Sequence, residues 1–132
     1  MSLTTVAPGV GGTGLTAPGT SGNILTSNGT AWTSGVSTGI CKAWVNFNGV
    51  TTATVRASFN VSSVIRNATG QYTLNFTTAF ANANYSTVAL ASANTTQLFG
   101  TYSTTQVQIY TAPFWGSAQV DSSIVSVAVF SS

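Results

Sequence analysis

Few side chains in this sequence can do chemistry. The charged ones are Lys42, Arg56, Arg66 and Asp121, and there is no His and no Glu. A single carboxylate excludes the paired carboxyl groups of glycoside hydrolysis. The missing His removes Ser-His-Asp and Cys-His catalysis, and with one Cys it removes zinc sites as well. One Asp among Asn and Thr oxygens is a poor calcium set. The run Gly9-Val10-Gly11-Gly12-Thr13-Gly14 is followed by no Lys and fits no phosphate loop. Intrinsic catalysis is therefore not expected. Nor is a catalytic residue, a metal or a cofactor.

Asp121 lies just before the last apolar run, in Val120-Asp121-Ser122-Ser123. Its first reading is a turn carboxylate that accepts backbone N–H bonds. An ion pair with Arg56 or Arg66 comes next, and ligand contact last. Cys41 is alone, so no intrachain disulfide exists. It reads as a small buried residue, or as an interchain contact near a symmetry axis.

Recognition is the remaining chemistry. Tyr102, Tyr110, Phe114 and Trp115 stand among Thr, Gln, Ser and Gly, with Pro113 interrupting any strand. Flat rings beside amides and hydroxyls suit a saccharide or protein surface, and these four residues are the candidate receptor-contact loop. The alternative is that Phe114 and Trp115 plug the end of the fold or pack between subunits. Trp44 faces opposite to Val45 and Phe47 and covers an outer face or an interface.

The elements that hold these residues read as strands. Charged residues make up 3% of 132 residues, against a usual level of about 25%, while apolar residues reach 43%. Many β-branched residues and little charge mark a folding chain rather than a disordered one. A surface without mixed charge points to an obligate oligomer. No basic patch exists for nucleic acid, and no apolar run is long enough to span a bilayer. Residues 1–10 do not have the form of a secretory signal.

Residues 1–39 are rich in Gly, Thr and Ser, the composition of a linker or extended segment. Within it, Asn28-Gly29 is a two-residue hairpin turn signal between Ile24/Leu25 and Trp32. Such a hairpin needs a partner, either the following domain or another copy. Residues 40–132 read as a head domain. Ala43, Val45 and Phe47 alternate, then Val55 to Val61 form one face. After a turn at 67–70, Tyr72, Leu74 and Phe76 form another. Strands follow over 86–92, 98–102 and 107–110. The run Ile124 to Phe130 is apolar at nearly every position, as in a strand covered on both faces. The expected fold is all-β, an antiparallel sandwich of jelly-roll-like character.

The stretch Gly11 to Thr16, followed by Gly22-Asn23-Ile24-Leu25-Thr26-Ser27-Asn28-Gly29-Thr30-Ala31-Trp32-Thr33, resembles a motif of tail-fibre and other virion proteins of tailed bacteriophages. Lys42 to Gly49, with Ile65 to Tyr85 and the ending Val127-Ala128-Val129-Phe130, resembles the C-terminal β-domain of phage fibres. The resemblance implies a virion protein, assembled in the host cytoplasm as a homotrimer. Its N-terminal segment, residues 1–39, would be an attachment or shaft segment that contacts other virion proteins, and its distal β-domain would meet a host-surface glycan or protein. Residues 99–121 lie outside these motifs, so the resemblance assigns no binding residue there. A capsid decoration or cement protein with no receptor role is the second reading.

Overall fold

The structure is a computed structural model. It describes residues 14, 15, 17, 19, 20, 23–35, 39–92, 95–97, 100–114 and 116–131. These fall in two compact units, one up to residue 38 and one over Gly39–Ser131.

The first unit holds one hairpin, β1 (Ile24–Ser27) with β2 (Trp32–Gly35), paired antiparallel with Ser27 opposite Trp32. Its turn takes four residues rather than the two expected. Asn28 Oδ1 accepts from the backbone N–H of Thr30 and Ala31, at 3.0 and 2.8 Å, and Gly29 takes a φ of 93°. An Asx side chain that bonds its own turn explains the longer loop.

The second unit contains β3 (Ile40–Asn48), β4 (Thr54–Phe59), β5 (Val61–Ala68), β6 (Gln71–Phe76), β7 (Ser86–Ala91), β8 (Thr95–Gln97), β9 (Gln106–Ala112) and β10 (Val125–Ser131). They form two four-stranded antiparallel sheets, β4-β3-β10-β7 and β5-β6-β9-β8. The all-β sandwich expected from strand spacing is what the chain forms, with no helix among the described residues.

Period-two alternation builds the core. Ala43, Val45 and Phe47 on β3 and Val125, Val127 and Val129 on β10 meet Tyr72, Leu74 and Phe76 on β6 and Val107 and Ile109 on β9. The Phe47 and Tyr72 rings pack edge-on, 5.1 Å apart, across the two sheets.

Three sequence expectations need correction. Val55 to Val61 is not one strand with one face. A bulge at Arg56 flips the alternation, because Phe47 pairs with Val55 but Asn46 with Ala57. Asn60, at a left-handed φ of 54°, then carries the chain to the other sheet. Its amide donates to Lys42 O and Thr78 O, and its Oδ1 accepts from Thr78 N. These bonds hold a conformation that Asn tolerates better than most residues. Of the strand expected over 98–102, Leu98 and Phe99 lie outside the described residues; a strand stands at Thr95–Gln97, and Tyr102 makes only an isolated bridge to Val107. Finally, β10 is covered on one face only within a single chain: Ser126 is exposed, and Ala128 and Phe130 are half-buried.

Candidate functional site

Strand direction sorts the loops of the second unit. Ile40, which opens it, and Ser131, which closes β10, pair with each other at one end. The 77–85 and 100–105 connections lie at that end too, since β6 ends there and β9 begins there. The β3–β4, β5–β6, β7–β8 and β9–β10 connections all lie at the opposite end.

Asp121 organises that opposite end. Arg66 Nε donates to Asp121 Oδ1 at 2.9 Å and Arg66 Nη2 to Oδ2 at 2.8 Å, a side-on bidentate pair. Gly70 N and the Tyr72 hydroxyl donate to Oδ1 at 2.8 and 3.0 Å. Gly49 O, 3.1 Å from the Tyr72 oxygen, is a second acceptor within reach of that one proton, and Gly49 N donates to Ser122 O at 2.9 Å. One carboxylate thus ties the β3–β4 loop, the β5–β6 turn and the β9–β10 loop. Both leading readings of Asp121 are met at once, since it accepts a backbone N–H and pairs with Arg66. Arg56 goes elsewhere, to Ser123 O at 2.7 Å and Asn46 Oδ1 at 3.4 Å.

The charges respond to this packing. The Arg66 hydrogen bond, against a smaller burial penalty, holds the Asp121 carboxyl down at about 2. The same bond pushes Arg66 above its ordinary value. Burial is the main cause raising Tyr72.

Gly70 is the backbone element the cluster needs. Its φ is 64°, and a Cβ there would sit 2.6 Å from Thr111 O and 2.7 Å from Val120 N. It lies against a clasp in which Thr111 N donates to Gly70 O, Val120 N to Thr111 O and the Thr111 hydroxyl to Val120 O. Beyond the clasp lie Pro113, Phe114 and Gly116 to Ala118. Phe114 is 66% exposed, and the Ser117 hydroxyl bonds its backbone on both sides, at 2.7 and 3.2 Å. Val50 and Ile124 are exposed at the same end.

Of the four aromatic residues expected to share one receptor-contact loop, Tyr102, Tyr110 and Phe114 are described, and they are not gathered in one place. Tyr102 stands at the start of β9 and Phe114 beyond its end, roughly 20 Å away at about 3.3 Å per residue. Tyr102 stacks on Tyr85 at 5.0 Å. Tyr85 in turn packs with Phe76 and Phe80, which closes the end of the sandwich where Ile40 enters. The Tyr85 hydroxyl donates to Ser103 O and Gln106 O, and burial pushes it up to about 12. Tyr110 lies half-buried on the outer face of β9, opposite Gln71 and Gln97. Trp115 lies outside the described residues, as do Leu98 and Phe99. Trp44 stands exposed on the outer face of its sheet, as its parity requires.

Sequence reasoning missed Tyr72 and Gly70 as members of the Asp121 cluster. Tyr72 read only as core, because alternation reports the direction of a ring and not the reach of its hydroxyl. Among the described residues no group of three or more His, Cys, Asp or Glu is close enough to hold a metal ion. Among the same residues, no helix is long and apolar enough to cross a membrane.

No protein-family model, no curated protein and no solved structure matches this chain.

Proposed function

We propose that this chain is a non-enzymatic structural protein of a tailed-bacteriophage virion, a fibre or fibre tip that binds the host surface as an oligomer. The observation that carries the reading is the polarity of the sandwich. The second unit is entered at Ile40 and closed at Ser131 at one end, while four loops stand at the other. Anchoring through the chain at Ile40 leaves the loops around Asp121 at the far end of the sandwich. Phe114, Val50 and Ile124 supply apolar contacts there, and the surrounding Ser, Thr and Gln supply directional bonds to a glycan or protein.

Catalysis has little to draw on. The sole acidic side chain is already engaged by Arg66, Gly70 and Tyr72. Binding that relies little on charge tolerates salt. Several copies per particle raise weak single sites by effective concentration. The phage assignment rests on the sequence motifs of residues 11–33, 42–49 and 65–85.

Electron cryomicroscopy of intact virions tests this, with a labelled antibody against the chain. Density at the end of a tail or capsid fibre is expected. Density spread over the capsid lattice would make the protein a decoration or cement component and overturn receptor binding.

A further inference from the structure

We infer that the outer face of the β4-β3-β10-β7 sheet is the surface on which a second copy of this chain docks. This deepens the oligomer of the proposed function and rests on it. The register aligns Phe59, Trp44, Ala128 and Val88 in one row across all four strands, with Leu90 in the next. Phe59 is 54% exposed and Leu90 71%. Apolar residues scattered singly on a surface are ordinary; a contiguous row spanning a sheet marks an interaction site.

The shape of the face selects the occupant. Ser126 and Ala128 are small, so β10 forms the floor of a trough of about 290 Å³. Trp44 on β3 walls one side, and Val88 and Leu90 on β7 wall the other. Trough and ridge are therefore adjacent strands, about 4.8 Å apart. Two identical faces offset by one strand seat the β7 ridge of each in the β10 trough of the other.

The polar groups of the face permit this burial. The Asn46 amide donates to Ser126 Oγ at 2.8 Å, and Arg56 is held to Asn46 and to the Ser123 carbonyl. No carboxylate lies on the face, since Asp121 is bound by Arg66. The opposite sheet differs. Its outer face carries Gln71, Thr73, Asn75, Gln106 and Gln108, paired laterally through Asn67 to Thr73 at 2.7 Å and Asn75 to Ser63 at 3.0 Å. A surface of that kind is satisfied by water. The largely apolar pattern of β10 then has its reason: its inner side meets the core and its outer side meets another copy.

Sedimentation equilibrium of the full chain tests the inference, comparing wild type, Leu90→Glu and Ile65→Glu. Ile65 is the matching exposed apolar residue on the other sheet. Leu90→Glu is expected to weaken self-association about 100-fold with an unchanged far-UV circular dichroism spectrum, because an unpaired charge is buried in the contact. Ile65→Glu is expected to leave association unchanged. A wild-type monomer at micromolar concentration would overturn both the oligomer and this surface. An oligomer that Leu90→Glu leaves intact, or that Ile65→Glu dissociates, would overturn the surface alone. Should Leu90→Glu fail to fold, a bis-maleimide with an arm of about 10 Å, the spacing of packed sheets, applied to Leu90→Cys in a Cys41→Ser background decides. Interchain crosslinks that Ile65→Cys does not form support the inference. Their absence in an oligomer, as when a chain's own N-terminal hairpin or another protein covers the face, overturns it.

Discussion

Arg66 and Asp121 are 55 positions apart in the sequence and meet in a side-on bidentate pair, with Nε and Nη2 each within 3 Å of a carboxylate oxygen. The pair joins the first strand of one sheet to the loop that leads into the last strand of the other. Its worth lies in the geometry it imposes on three connections, which no local signal around either residue specifies.

Because Asp121 is the only acidic side chain, the acid limb of stability is close to a single-group titration. Its carboxyl is held at about 2 against an ordinary 3.8. A depressed folded value means that stability is fully present above about pH 4 and is lost as pH falls through about 2. Asp121→Asn is expected to lower stability at pH 7 by on the order of 2 kcal/mol and to flatten this limb. Thermal melts from pH 7 to pH 2 check both.

Gly70→Ala is expected to cost more than about 2 kcal/mol, because φ is left-handed and the added methyl meets backbone on two sides. Gly35→Ala, which has open space around it and no such φ, is expected to leave the melting temperature unchanged. Differential scanning calorimetry of the two variants separates them.

Thr87 lies on the inner face of β7, and its hydroxyl is buried with no hydrogen-bond partner. Thr87→Val keeps the shape and removes the desolvated group. A gain of about 1 kcal/mol in urea unfolding is expected, with an unchanged m-value.

The two ends of β9 are expected to respond differently. Tyr102→Ala removes the ring stacked on Tyr85 and should lower stability by about 1–2 kcal/mol while leaving host-cell binding per folded molecule intact. Phe114→Ala should change stability by less than about 0.5 kcal/mol and weaken binding of the chain to host cells. Binding isotherms on whole cells, set beside melts, read both. Undiminished binding by Phe114→Ala would move the contact off this loop.

Alternation on β3, β6, β9 and β10 was legible because a period of two needs nothing beyond the strand itself. The turn read at 67–70 was equally local, although β5 runs on to Ala68 and only Thr69 and Gly70 form the turn. The bulge at Arg56 and the sheet switch at Asn60 were not, because Val55, Ala57, Phe59 and Val61 keep an unbroken apolar alternation across both. What breaks it is which sheet receives each half, and that is set by partners far along the chain. The same limit scattered the aromatic group. Tyr102 and Phe114 flank one strand, and proximity in sequence at its two ends becomes distance in space. Asp121 read correctly as a turn acceptor, but its choice of Arg66 over Arg56 depends on the crossing of two sheets.

The clasp between Thr111, Val120 and Gly70 has a consequence for how such a protein can change over generations. It closes the base of the 113–118 segment with hydrogen bonds that involve no side chain from within that segment. Once a loop is closed at its base, lengthening it costs only about 0.6 kcal/mol per doubling. The tip can therefore be rewritten, or exchanged for another, while the scaffold beneath it is inherited unaltered. On the proposed receptor-binding reading, a surface that follows a drifting target is thereby separated from the part that must not drift at all.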